Sequence, residues 1–103
     1  MRMCEIPNVK SLPTPVHMRI PEALDFTRAQ RLAKEQARVF YHDSMLLSWY
    51  DRENGRYSPH DVECCSDGKP SWVEYANSRE GNLTIDINDE EYIFIFRGKP
   101  GLS

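Results

Sequence analysis

The chain has 103 residues and a formal net charge of −3, with 40% hydrophobic and 28% charged residues. These values are typical of one globular domain and exclude a wholly disordered chain. The acidic balance argues against a general electrostatic grip on nucleic acid, and no apolar run approaches the ~20 residues that span a bilayer. We therefore expect one small folded domain that neither crosses a membrane nor binds nucleic acid over its whole surface.

The cysteines indicate the redox compartment. There are three of them, Cys4, Cys64 and Cys65, and two are adjacent, which does not make a disulfide framework. The first residues, from Met1 to Pro7, contain no apolar core of signal-peptide length. We therefore expect a cytoplasmic protein with reduced thiols.

Residues 1–20 are predicted to form an extended N-terminal arm, because three prolines remove backbone donors and no helical period is sustained. Within the arm, Val16, Met18 and Ile20 alternate with polar residues, which predicts a short edge strand over 16–20. A helix is then predicted from Pro21 to about Tyr41, since proline suits the first helical position. Its apolar residues follow one face at helical spacing: Phe26, Ala29, Ala33, Ala37 and Phe40.

Two strands and a turn are predicted after the helix. Residues 45–51 alternate so that Leu47 and Trp49 share one face, with Leu46, Ser48 and Tyr50 on the other. Asn54-Gly55 predicts a tight hairpin turn into a return strand at Arg56-Tyr57, which Pro59 interrupts and residues 62–65 could resume. Residues 71–77 alternate again and are predicted to be a further strand.

The clearest pattern is a hairpin over residues 82–97. Leu83, Ile85 and Ile87 alternate with polar residues, and 88–90 supply turn chemistry. Tyr92 to Phe96 is apolar on both faces, which predicts a central strand. The chain as a whole predicts an α+β fold in which one N-terminal helix packs on a four- or five-stranded antiparallel meander, as a two-layer sandwich. The domain would span 21–97, with 98–103 as a C-terminal tail.

Apolar residues on both faces of the predicted sheet leave one face without cover, because a single helix covers only part of one side. Exposed apolar surface of this extent is typical of an interface or a ligand groove. We therefore expect the second face to be covered by a homodimer partner or by the N-terminal arm.

The densest set of reactive side chains predicts a candidate site. His60 with Cys64 or Cys65, joined by Asp61, His42 or Asp43, could bind zinc or iron, because thiolate, imidazole and carboxylate are suitable ligands. One of the cysteines could instead be a nucleophilic or redox thiol. Against both, adjacent cysteines on a strand point in opposite directions and no C-x-x-C spacing is present, so one cysteine in the core is the plainer alternative.

Three further clusters have a functional and a structural interpretation. The acidic residues 86–91 could hold a hard cation, or they form a charged turn in which Asp86 is solvated. The helix face from Arg28 to Arg38 could bind nucleic acid, or it is a solvated face with pairs of Glu35 to Arg31 and Arg38. Five aromatic residues could line a ligand groove or pack the core and an interface: Trp49, Tyr50, Tyr57, Trp72 and Tyr75. Phosphate-loop, dinucleotide and serine-hydrolase motifs are absent.

One resemblance extends over most of residues 22–97. It is carried by the runs F-Y-H-D at 40–43, W-Y-D at 49–51, N-G-R at 54–56, V-E-C-C at 62–65 and L-T-I-D-I-N at 83–88. In these runs the chain resembles a family of small uncharacterised prokaryotic proteins. The resemblance implies a compact single domain, and it implies no activity, cofactor or binding residue.

The sequence therefore favours a homo-oligomeric binding or accessory module without enzymatic motifs. The alternatives are a metal- or thiol-dependent protein that uses Cys64 or Cys65 with His60, and nucleic-acid binding through the helix face from Arg28 to Arg38. The sequence identifies no small-molecule ligand. No cofactor is predicted, and zinc or iron is the alternative if the metal site exists.

Overall fold

A computed structural model describes residues 12–58 and 71–99. It has an α+β architecture with one five-stranded sheet and two helices. In chain order, the elements are β1 (Pro15–Met18), α1 (Phe26–Phe40), β2 (Asp43–Asp51), β3 (Arg56–Ser58), α2 (Ser71–Ser78), β4 (Leu83–Ile87) and β5 (Tyr92–Lys99). Neither of these helices combines the length and the apolar character needed to cross a bilayer.

The sheet has the order β1-β4-β5-β2-β3. Neighbouring strands are antiparallel except at one edge, where β1 runs parallel to β4 with Val16 opposite Ile85. The α+β class and the number of strands agree with the sequence prediction, but the purely antiparallel meander is wrong. The edge strand from the N-terminal arm is real, although it ends at Met18 rather than Ile20. It enters the sheet beside β4 because its apolar side chains, Val16 and Met18, join the same core as Ile85 and Ile87.

The central strand β5 has apolar side chains on both faces, as the sequence predicts. Tyr92, Phe94 and Phe96 point to the first face and are at most 1% exposed, while Ile93 and Ile95 point to the second and are fully buried. The strand continues to Lys99, so its last two residues belong to the sheet and not to a C-terminal tail. Both layers of the core therefore meet on β5, as expected for a central strand with apolar side chains on both faces.

The first face of the sheet is covered by α1. Ala29, Ala33 and Ala37 are fully buried against β4 and β5, which confirms the predicted alanine stripe. Small side chains let the helix backbone approach the sheet closely. The predicted start at Pro21 is wrong, because Asp25 is the N-cap and its carboxylate accepts a hydrogen bond from the Arg28 amide at 2.8 Å. The helix ends at Phe40, one residue before the predicted end.

The second face is covered by α2, where the sequence predicted a strand. Trp72, Val73 and Ala76 are buried together at helical spacing. A run this short satisfies the strand period and the helix period equally well, so the alternation over 71–77 was misleading. Leu12, from the predicted arm, joins the same cluster at 5% exposure. The apolar second face is thus used within the chain, and the homodimer stays a prediction that the fold does not require.

A β-bulge in β2 changes which side chains share a face. The register with β5 shifts between Leu46 and Ser48, so Leu46 and Trp49 pack on the first face. Leu47 and Tyr50 pack on the second. The predicted grouping of Leu47 with Trp49 is therefore wrong, because one extra residue reverses the alternation beyond it.

Candidate functional site

The predicted metal site is only partly visible. His60, Asp61, Cys64 and Cys65 lie outside the described residues. His42 is exposed directly after α1 and is followed by Asp43, the first residue of β2. Among the side chains that the structure describes, no three of His, Cys, Asp or Glu are close enough to hold a metal ion. The zinc or iron site and the reactive thiol both stay predictions, which elemental analysis and a thiol count would test.

The carboxylates of the acidic turn between β4 and β5 make hydrogen bonds and ion pairs within the fold. Asp86 is 2% exposed, so the expectation of a solvated residue is wrong. Its Oδ1 accepts a hydrogen bond from the Glu90 amide at 2.6 Å, and its Oδ2 lies 2.8 Å from Nδ1 of His17. Asp89 and Glu90 form ion pairs with Arg19 and Arg52, each at 3.2 Å. These carboxylates therefore hold the turn and its neighbouring strands together.

The half of the first face that α1 does not cover forms the candidate functional site. Directly paired residues on adjacent strands share a face, and Trp49 lies opposite Ser58 while Asp51 lies opposite Arg56. Trp49 packs with the α1 side of the core, since its ring centroid is 4.3 Å from that of Phe26. The outer strands β2 and β3 therefore present their first-face side chains beside the helix.

The first of two cavities here is the aromatic groove, which we define by its lining residues. Its volume is about 570 Å3, and it is lined by Trp49, Gly55, Arg56, Tyr57 and Ser58. The hairpin turn that shapes it needs Gly55 at a φ of +63°, a conformation that favours glycine. The buried Asp51 carboxylate stabilises the turn, because it accepts hydrogen bonds from the Asn54 amide at 3.2 Å and from Asn54 Nδ2 at 2.8 Å.

Arg56 places a cation at the aromatic groove. Its guanidinium lies 3.5 Å from Asp51 Oδ2, and its side chain is 62% exposed. A guanidinium has five N–H donors, so this one contact leaves donors of Arg56 available to a ligand. An exposed guanidinium next to a half-buried indole suits a ligand with a flat ring and a negative charge.

The second cavity, the α1–β2 cavity, lies between the C-terminal end of α1 and the start of β2. Its volume is about 440 Å3, and it is lined by Lys34, Arg38, His42, Asp43, Ser44, Leu46 and Phe96. A shallower depression of about 380 Å3 adjoins it on the helix flank and shares Lys34 and Arg38. Three cations of the predicted helix stripe, Arg31, Lys34 and Arg38, therefore line these cavities, whereas Arg28 pairs with Glu22.

The structure also tests the ion pairs predicted within α1 and the two roles predicted for the aromatic residues. Within the described chain, no ion pair of 4.0 Å or less joins Glu35 to Arg31 or Arg38, so neither predicted pair is formed. Trp72 is buried and stacks on Tyr50 with centroids 5.4 Å apart, in agreement with core packing. Trp49 and Tyr57 line a cavity, and Tyr57 also packs against the second-face cluster.

Sequence reasoning missed Arg56 and Ser58 as site residues. The strand that presents them has only three residues, too few to show which face each one occupies. The available signal was the Asn54-Gly55 turn, because a tight hairpin puts Ser58 and Arg56 directly opposite residues of β2.

Comparison with known proteins agrees with this description. The family model described as a domain of unknown function, DUF5619, matches residues 13–96. An uncharacterized protein of Archaeoglobus fulgidus is 34% identical over 79 residues, which are 77% of this chain and 82% of that protein. The crystal structure of AF1514 from Archaeoglobus fulgidus is similar with a TM-score of 0.73 and 30% identity, over 85% of this chain and 96% of that chain.

These matches confirm the resemblance to small uncharacterised prokaryotic proteins, and the names that they supply specify no reaction or ligand. The matched region, from residue 13 to residue 96, includes both edge strands of the sheet and both cavities beside α1. The chain belongs to the DUF5619 family, a domain of unknown function.

Proposed function

We propose that this protein is a small binding module whose aromatic groove takes a planar organic anion. The observation that supports it is the presence of the Trp49 indole and the Arg56 guanidinium in the lining of one open cavity of about 570 Å3. Small-molecule sites commonly enclose roughly 300–1,000 Å3 and combine apolar walls with a few polar groups. The groove has both properties.

Contacts within the fold already hold the groove residues in place. Phe26 fixes one side of the Trp49 ring, with an angle of 52° between the two ring planes. The Asp51–Asn54 hydrogen bonds fix the turn that precedes Arg56. A site whose side chains are already ordered loses less conformational entropy on binding. The ring of the ligand would stack on Trp49, and its carboxylate or similar group would accept hydrogen bonds from Arg56.

Fluorine NMR of protein labelled with 5-fluorotryptophan tests this function. The chain has two tryptophans, so the spectrum contains one signal from Trp49 at the groove and one from the buried Trp72 as an internal reference. Aromatic carboxylates should shift the Trp49 signal in a saturable way and leave the Trp72 signal in place. The matching aromatic amides, which are neutral, should bind about tenfold more weakly, a difference of roughly 1.4 kcal/mol.

A pair of arginine variants provides the control. Arg56→Met should weaken carboxylate binding by about tenfold, whereas Arg52→Met, in the same hairpin, should not. Arg52 makes its ion pair with Glu90 and does not line the groove. Equal binding of the acid and the amide, or equal losses in the two variants, would contradict an anion site.

The proposal includes self-association of the module. Three large apolar side chains are exposed around the junction of α1 and β2, at 73% for Val39, 44% for Phe40 and 63% for Met45. Exposed apolar side chains close together are typical of contact surfaces. Sedimentation velocity should detect a dimer that Val39→Lys weakens, and a monomer at all concentrations would contradict this part.

A further inference from the structure

Some cations of the described chain are paired with a carboxylate, and others, which include Arg79 and Arg97, are not. Four arginines lie within 4.0 Å of a carboxylate, in the pairs Arg19–Asp89, Arg28–Glu22, Arg52–Glu90 and Arg56–Asp51. In contrast, none of the carboxylates that the structure describes lies within that distance of Arg31, Lys34 or Arg38. These three side chains line the α1–β2 cavity and its adjoining depression.

Helix spacing brings two of these cations to one wall. Lys34 and Arg38 are four residues apart, so their side chains lie on the same flank of α1. Both line the α1–β2 cavity, and His42 and Ser44 line it as well. The cavity therefore combines an ammonium, a guanidinium, an imidazole and a hydroxyl, all of which can donate hydrogen bonds.

The structural alternative accounts for only part of this arrangement. A cation in the last turn of a helix is favoured by the partial negative charge there, and Arg38 occupies that turn. Lys34 lies one turn earlier, and His42 lies beyond the helix end. Across the two adjoining cavities, three cations, Arg31, Lys34 and Arg38, face two carboxylates, Glu35 and Asp43. This local excess of positive charge occurs in a chain whose net charge is −3.

We propose that the α1–β2 cavity binds the phosphate group of a small phosphorylated ligand. A phosphate has several acceptor oxygens and a charge that Arg38 and Lys34 together can neutralise, and a guanidinium can bind two of the oxygens at once. His42 and Ser44 provide further donors. The site shares no lining residue with the aromatic groove, so it goes beyond the proposed function and does not depend on it.

The same chemistry is present in free phosphate, in a phosphate ester and in a nucleic-acid backbone, and the experiment separates them. The full chain is titrated at constant ionic strength with inorganic phosphate, with adenosine monophosphate and with a ten-nucleotide oligoadenylate. Two-dimensional NMR follows the His42 ring and the backbone amides of residues 34–44. Saturable shifts of these signals with phosphate or with the monophosphate support the proposal and identify which form binds.

Variants of the same helix that remove positive charge complete the test. Lys34→Met with Arg38→Met should weaken monophosphate binding by at least about tenfold. Arg28→Met removes an equal type of charge from the same helix, but that side chain pairs with Glu22 outside the cavity, so binding should be unchanged. Circular dichroism checks that each variant is folded.

Three results would overturn the proposal. The first is the absence of saturable shifts, and the second is an equal loss of affinity in Arg28→Met. The third is binding of the oligoadenylate alone, which would indicate a nucleic-acid surface instead of a small-ligand site. The Trp49 fluorine signal reports the aromatic groove separately, so failure at one site is distinguishable from failure at the other.

Discussion

The side-chain amide of Asn88 pairs with the backbone of Ile20 as another strand residue would. Asn88 Oδ1 accepts a hydrogen bond from the Ile20 amide at 2.7 Å, and Nδ2 donates to the Ile20 carbonyl at 3.1 Å. Asn82 makes the same two contacts with Gly98, at 2.8 and 2.9 Å. The two asparagines stand immediately before and after β4, so each of its ends is tied by a side chain to a neighbouring segment.

Replacing Asn88 should loosen the attachment of β1. Asn88→Ala removes both contacts with Ile20 and places alanine at a φ of +53°, so we expect a loss of about 2–3 kcal/mol in the free energy of unfolding. Asn88→Gly removes the same hydrogen bonds but tolerates that φ, and should lose less. Urea unfolding measures both. Equal losses would mean that backbone conformation contributes nothing at this turn.

The buried Asp86 carboxylate, which contacts both His17 and the Glu90 amide, should be important for stability. Asp86→Ala leaves the partly buried Glu90 amide without its acceptor, so the free energy of unfolding should fall by roughly 2–3 kcal/mol. Asp86→Asn keeps an oxygen for that amide and should cost less. Urea unfolding of the two variants gives the comparison. If Asn costs as much as Ala, the interaction with His17, rather than the one with Glu90, determines stability here.

Tyr92 should make stability fall at alkaline pH. Burial, together with the charges of Asp51, Glu53, Glu91 and Asp25, raises the pKa of Tyr92 from 10.0 to about 12. Below pH 10 the phenol is protonated in both states. Between pH 10 and about 12, the unfolded chain releases a proton that the folded chain keeps. The free energy of unfolding therefore decreases as pH rises, by up to roughly 1.4 kcal/mol per pH unit.

The variant Tyr92→Phe isolates this effect. It should lose part of the slope of stability against pH above 10, because the group that titrates differently in the two states is gone. It also loses the 3.3 Å hydrogen bond from the phenol to the Leu24 carbonyl. That loss lowers the free energy of unfolding by a constant amount at lower pH and does not change the slope. Identical slopes for the variant and the original chain would show that Tyr92 ionises normally.

A hydroxyl in the second layer of the core should be replaceable with a gain in stability. Thr84 and Ser48 lie on either side of Ile95, are fully buried, and have no hydrogen-bond partner for their hydroxyls within the described part of the chain. Thr84→Val keeps the shape of the side chain and removes the unpaired hydroxyl, so the free energy of unfolding should rise by about 1 kcal/mol. Thr84→Ala leaves a void and should be destabilising. A loss of stability in Thr84→Val would show that the hydroxyl has a partner.

Local patterns predicted the parts of this fold that depend on near neighbours in sequence. The alanine stripe of α1, the Asn54-Gly55 turn and the two apolar faces of β5 each result from a short run of residues. The parallel pairing of Val16 with Ile85 could not be predicted in this way, because nothing close to Val16 in the chain indicates its distant partner. The bulge after Leu46 also escaped detection, since one extra residue leaves no mark on composition.

The candidate site was predictable as a set of residue types and not as an arrangement. Trp49 and the cations of α1 were identified as candidates from the sequence, but their common position depends on the strand order, which places β2 beside β5 and leaves β3 at the edge. His42 was selected as a metal ligand, yet the structure puts it with Lys34 and Arg38. Which residues meet across a sheet is a property of topology, and topology was the weakest part of the prediction.

The parallel edge of the sheet has a consequence for the order of folding. The hairpin of β4 and β5 closes through a short turn, whereas β1 joins β4 across a separation of 69 positions, as between His17 and Asp86. Closing so long a loop costs more entropy than closing the hairpin, so the hairpin should form first and β1 should dock late. The same strand should be the first to open in the native state, and the Asn88 amide, which donates to Met18, should exchange its hydrogen sooner than the amides of β5.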